Sequence, residues 1–225
     1  MAPTSSPRPS LAPYPEEPVQ EMLRRSAERF PDKIAVIDGN RTFTYKQMEE
    51  MSDQFAAALA SGGLAFGDRV GVFAPNSVEF AISFFGILKA GGIPSPVNSS
   101  YIERELANQM IDCGATALIV HEAMLEVAEN ARGLGLDVRQ LIEIRPGSRE
   151  PGSFWGMIES ATGRLPEFTI NPKVDLAALP YSSGTTGLAK GVELTHYNLT
   201  SNVVQMEACQ LDEPLASEED VVLVH

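Results

Sequence analysis

From Arg69 onward, short apolar runs alternate with helical patterns, and this alternation limits the chain to few folds. RVGVFAP ends at the turn residues Pro75 and Asn76, and Ser77 follows as a helix N-cap. In SVEFAISFFGILKAGG, Phe80, Phe84, Ile87 and Leu88 share one face, Ala81 and Phe85 widen it, and Gly91 with Gly92 close the helix. IPSPVN then reads as a strand. The unit repeats: 101–113 is helical with Leu106, Ala107, Met110 and Ile111 inward, 116–120 a strand, 121–134 a helix and 138–144 a strand. Continuous apolar strands between helices predict an α/β fold, a doubly wound, mostly parallel sheet over 69–181 with helices on both faces.

The stretch before it reads differently. Residues 1–18 are rich in Pro and Ser without periodicity, which predicts a mobile tail or extended lead-in. Val19, Met22, Leu23, Ala27 and Phe30 make one helical face that Pro31 ends, and Asp38-Gly39-Asn40 joins two β-prone runs as a hairpin. Thr44 and Gln47 form a T-x-x-Q capping box for a helix carrying Met48, Met51, Phe55, Ala58 and Leu59 and stopping at Gly62. Downstream, RPGSREPGS is a loop, Trp155 and Ile158 pack inward from one or two helical turns, and 176–179 is a strand. Cys113 and Cys209 offer no disulfide framework and read as reduced, buried thiols.

That last strand leads into YSSGTTGLAKGVELTH, residues 181–196. Gly184, Gly187 and Gly191 let backbone N–H groups converge, Ser182, Ser183, Thr185 and Thr186 add hydroxyl donors, and Lys190 adds a mobile positive charge. This is the composition of a polyphosphate clamp, at the strand-to-helix junction where phosphates bind in α/β sheets. The spacing fits neither a Walker A loop nor a dinucleotide fingerprint. An exposed Gly/Ser/Thr turn with an incidental lysine has the same composition, so the residue types alone leave both readings open.

The run resembles the phosphate-loop signature of the adenylate-forming superfamily, close to [YF]-[ST]-S-G-T-T-G-x-P-K-G-V followed by T-H. Tyr181, Ser182, Ser183, Gly184, Thr185, Thr186, Gly187, Lys190, Gly191, Val192, Thr195 and His196 match, while Ala189 stands where proline is usual. Asn98, Tyr101, Glu105 and Leu106 also fit a V-N-P-x-Y-x-x-x-E-L stretch of that family, with Ser99 replacing its proline. The SSGTTG form is closer to the CoA ligase and luciferase branch than to peptide synthetases. The likeness covers 19–225, and family chains are more than twice as long, so this sequence is expected to be an amino-terminal portion, inactive alone.

The resemblance implies ATP-dependent activation of a carboxylic acid through an acyl adenylate and thioester formation with coenzyme A, in a cytoplasmic acid–CoA ligase of the fatty-acid metabolism type. It implies Lys190 as catalytic residue and Ser182, Ser183, Gly184, Thr185, Thr186, Gly187 and Lys190 as the nucleotide site, with Mg²⁺ as metal and no metal ligand assigned. Thr195 looks like the N-cap of the following helix and His196 like a structural residue near the nucleotide. Two other readings stand beside it, an amino-acid adenylation domain of a peptide synthetase and a non-catalytic nucleotide-binding or interaction module.

A formal charge of −13 argues against a nucleic-acid partner, and no apolar run is long enough for a membrane span. The expected organisation is a flexible tail at 1–18, a helix-hairpin-helix segment of an incomplete neighbouring lobe at 19–62, and a nucleotide-binding lobe at 63–211 with its phosphate loop at 181–192. An acidic connection and a truncated strand follow at 212–225. Apolar faces in 19–60 would then be partly exposed, or covered by a second copy as a homodimer.

Overall fold

The computed structural model describes residues 11–182 and 189–208. Its elements follow local chemistry closely. Helix α1 (Gln20–Arg29) leads to a hairpin of β1 (Ile34–Asp38) and β2 (Arg41–Thr44), whose two-residue turn places Gly39 at φ 58°, a conformation glycine adopts without steric cost. Helix α2 (Tyr45–Ser61) starts on the expected capping box: the Gln47 N–H donates to Thr44 Oγ1 at 3.2 Å and the Thr44 N–H donates to Gln47 Oε1 at 2.8 Å. Then come β3 (Arg69–Phe73), α3 (Val78–Lys89) and β4 (Ile93–Pro96), with the Phe80 N–H donating to Ser77 Oγ at the α3 cap. Helix α4 (Glu103–Cys113), β5 (Ala115–His121), a 3₁₀ turn, α5 (Leu125–Arg132), β6 (Gln140–Ile144) and α6 (Phe154–Ser160) complete the α/β part. The 3₁₀ turn at Glu122–Met124 divides the helix expected over 121–134, because the His121 Nδ1 accepts the Ala123 N–H and caps the chain there.

Strands β3 to β6 form one parallel sheet in the order β4-β3-β5-β6. Stepping from β3 out to β4, then back past β3 to β5 and on to β6, right-handed crossovers must put α3 on one face and α4 with α5 on the other. The two cores follow that rule. Val70, Val72, Ala117, Ile119, Ile142 and Ile144 pack against α2, α3 and α6, while Leu118 and Val120 pack with Leu106, Ala107 and Met110 of α4 and Ala128 and Ala131 of α5. The expected doubly wound fold is therefore present. Two details differ: Ile111 of α4 is exposed rather than inward, and α3 is buried nearly all round, because α2 and β7 (Leu176–Ala178) cover the sides that a one-faced helix would leave wet.

The sheet stops at β4 for a chemical reason. The Ile93 and Val97 N–H groups point to β3, donating to Asp68 and Val72, so the alternate residues Pro94 and Pro96 face outward with no N–H to offer. Beyond this edge lies β7, which makes its ladder antiparallel with β10 (Leu194–Thr195) instead. It touches β4 through substitutes: the Leu179 N–H donates to the Pro94 carbonyl at 2.9 Å and the Ser95 hydroxyl donates to the Leu179 carbonyl at 2.8 Å. Gln109 of α4 supplies the donor that Pro96 cannot find in a strand, its Nε2 lying 3.0 Å from both the Pro96 carbonyl and Ser95 Oγ.

Two expectations about the amino-terminal part are corrected. Residues 19–62 do not stand apart as a neighbouring lobe awaiting a second copy. Leu23, Met48, Phe55, Ala56 and Leu59 are buried in the same core as Val70 and Ile119, and only Ile34 and Ile37 of the hairpin remain exposed among the large apolar groups there. The Phe55 and Phe154 ring centres lie 4.7 Å apart with the planes tilted by 50°, and α2 lies so close to α3 that a Cβ on Gly86 would sit 2.8 Å from the Phe55 ring. Residues 11–18 are not a free tail, since they run along α7 (His196–Ala208). Thr200 Oγ1 meets the Pro15 carbonyl, Gln205 Nε2 meets the Tyr14 hydroxyl, and the Tyr14 ring lies edge-on to Tyr197. Residues 1–10 and 209–225, with the connection expected at 212–225 and Cys209, lie outside the described residues.

Candidate active site

The glycine-rich stretch is carried on a short antiparallel hairpin, β8 (Tyr181–Ser182) with β9 (Lys190–Gly191), in which Tyr181 faces Gly191 and Ser182 faces Lys190. The Val192 N–H donates to the Pro180 carbonyl at 2.8 Å and closes its base. Ser183, Gly184, Thr185, Thr186 and Gly187 lie outside the described residues. Of the candidate residues, the structure brings together Ser182 and Lys190, both exposed, with Ser182 Oγ 3.5 Å from the Lys190 carbonyl. Lys190 has no ion-pair partner among the described residues, so its charge is available to an anion. This fits a polyphosphate, whose oxygens need a mobile cation beside backbone and hydroxyl donors.

Gly191 is small for a reason visible across the hairpin. A Cβ there would lie 3.2 Å from Cζ and 3.3 Å from the hydroxyl of Tyr181, so the tyrosine ring covers the glycine as its cross-strand partner. The Tyr181 hydroxyl donates to Asp112 Oδ2 at 2.5 Å, reaching the last turn of α4. Burial first, and then that hydrogen bond, push the Tyr181 hydroxyl pKa upward, which keeps it protonated as a donor. Sequence reasoning missed Asp112, because a carboxylate near the end of a helix carries no motif.

Below the hairpin, Thr195 caps α7 as expected. The Asn198 N–H donates to Thr195 Oγ1 at 3.2 Å, and Asn198 Oδ1 accepts from the Thr195 N–H at 3.0 Å. His196 is buried, and its Nδ1 accepts the Val19 N–H at 3.0 Å. Burial lowers its pKa to about 4 against a small opposing pull from Asp175, so the imidazole is neutral and structural. His196 also walls, with Asp175, Leu176, Phe66 and Gly91, a cavity of about 200 Å³. Among the described residues, no group of three or more His, Cys, Asp or Glu side chains is placed to hold a metal ion, and no helix is long and apolar enough to cross a membrane. Trp155 is a core residue, buried beside Phe154.

The chain matches the family model described as "AMP-binding enzyme" over residues 23–225. It is 34% identical over 204 residues to 4-coumarate–CoA ligase 5 of Oryza sativa subsp. japonica, an alignment covering 90% of this chain and 37% of that protein. Among solved structures, a long-chain-fatty-acid–CoA ligase from Archaeoglobus fulgidus superposes with a TM-score of 0.81 at 28% identity, covering 90% of this chain and 41% of that one. An anthranilate CoA ligase in complex with anthranoyl-AMP superposes with a TM-score of 0.75 at 31% identity, over 81% of this chain and 35% of that one. The present chain thus spans well under half the length of these relatives. With its family match over most of its length and its hairpin in the place of the signature, the chain belongs to the AMP-binding enzymes, the adenylate-forming superfamily, in the acyl-CoA and aryl-CoA ligase branch.

Proposed function

We propose that the protein carrying this chain activates a carboxylic acid with ATP to an acyl adenylate and passes the acyl group to the thiol of coenzyme A. The observation that carries the reading is the β8–β9 hairpin, which holds Lys190, unpaired among the described residues, opposite Ser182 at the mouth of the glycine-rich stretch in a chain of this family. ATP with magnesium supplies the reactive phosphoanhydride. The part of the chain's own residues is electrostatic. Lys190, the Ser182 hydroxyl and donors from 183–187 would hold the β and γ phosphates and stabilise the negative charge that builds on departing pyrophosphate. Thr195 and His196 would act one layer below, fixing the start of α7 beneath the hairpin. Coenzyme A as acceptor is favoured over a carrier-bound thiol by the SSGTTG form and by the likeness to proteins named as CoA ligases.

Exchange of labelled pyrophosphate into ATP tests the assignment in the protein carrying this chain. Lys190→Ala is expected to slow exchange on the order of ten- to a thousandfold, the cost of one charged transition-state contact, while thermal melting hardly moves. Thr186→Ala should move the rate in the same direction more mildly. Unaltered exchange in Lys190→Ala would remove the phosphate role from this hairpin. Thioester formation measured with and without coenzyme A separates a CoA ligase from an enzyme that only adenylates.

A further inference from the structure

We propose that Asp112 is a positioning residue for the phosphate hairpin, acting through Tyr181 on Lys190; this rests on the reading of Lys190 just given. The contact path is short and each link is geometric. Asp112 accepts the Tyr181 hydroxyl, and the Tyr181 ring lies over Gly191, where even a methyl group would be crowded. Gly191 adjoins Lys190, whose backbone is paired with Ser182. Asp112 is 69 residues from Tyr181 and sits on a helix packed against the sheet, so the contact ties an exposed two-residue hairpin to a rigid element.

The placement of Asp112 has no evident use for α4 itself. It is exposed, it contributes nothing to the core, and as an anion in the last turn it opposes the negative end of the helix dipole. What it does have is the one hydroxyl that fixes the orientation of the Tyr181 ring. β8 and β9 are two residues each, too short to hold a register by their ladder alone. An anchored ring laid across the partner glycine supplies the missing constraint. Without it, the Lys190 ammonium would sample more positions, and a phosphate-bearing ligand would have to select among them.

The test compares Asp112→Ala, Asp112→Asn, Tyr181→Phe and the Asp112→Ala/Tyr181→Phe pair in pyrophosphate exchange, with Lys190→Ala as control. Asp112→Ala and Tyr181→Phe should each raise the KM for ATP on the order of three- to tenfold, the scale of one charge-assisted hydrogen bond, leaving the KM for the acid unchanged. The pair should lose no more than either single change, because both remove the same contact. Asp112→Asn keeps an acceptor oxygen and should recover most of the ATP affinity. Melting curves of all four should overlie the parent, since the hydrogen bond lies at the surface and the changes leave the apolar ring of residue 181 in place. An unchanged KM for ATP in Asp112→Ala, effects that multiply in the pair, or no recovery in Asp112→Asn would each overturn the positioning role. A normal Lys190→Ala enzyme would instead overturn the reading of the hairpin on which it stands.

Discussion

His196 shows how a residue inside a phosphate signature can have a purely structural task. Its Nδ1 is committed to the Val19 N–H, and its pKa lies at about 4, below the ordinary value near 6.5. The unfolded chain therefore binds a proton between those limits that the folded chain refuses. Stability is complete above about pH 6.5, falls as pH drops toward 4 and levels below it, a loss on the order of 3 kcal/mol from this group. Urea unfolding at pH 7 and pH 4.5 should show that the parent loses more stability than His196→Asn, whose amide oxygen can accept the same N–H without titrating. Equal losses would mean that the imidazole is not held neutral. At this scale the sequence was informative where a residue type carries its own local chemistry, as with Thr195, whose hydroxyl caps the next helix. It was silent on Asp112, whose role exists only because Tyr181 folds against it.

Elements were legible where their determinants are local. The Thr44 and Ser77 caps, the Gly39 turn and the stop at Gly62 each depend on residues within four positions, and each stands in the structure as read. The place of β7 was not legible, because its neighbour β4 is about eighty residues earlier and is met through Ser95 and Pro94 rather than through a regular ladder. The same limit hid the packing of α2. Its apolar stripe was visible, but not that α3 would offer Gly86 as the surface for Phe55. This contact should be strongly stabilising: Phe55→Ala is expected to cost about 3–5 kcal/mol in equilibrium unfolding, as for other fully buried aromatics. A loss below about 1 kcal/mol would show that α2 is not part of the shared core. Ser77→Ala, removing one cap, should cost only about 1 kcal/mol.

Across the whole molecule, the parallel sheet and its two covered faces follow from the alternation of strands and helices, whereas the docking of 11–19 does not follow from a Pro-rich composition. That stretch is held by complementary single contacts along α7 and by the Lys173–Glu16 ion pair at 2.6 Å ahead of β7, rather than by periodicity. Deleting residues 1–18 should speed amide exchange through 197–205 while leaving β3, β5 and β6 protected. Exchange in α7 unaffected by the deletion would return the segment to the status of a tail. The Val19 N–H also has a partner 177 positions later. During synthesis it must wait, with Leu88 and Ala177 still to close over Val19, until the chain has been made as far as His196. The closing of that ring is then a late step, entropically only a little dearer than a shorter one would be. Within residues 11–208, α7 is therefore expected to dock late, after the sheet, onto a segment made well before it.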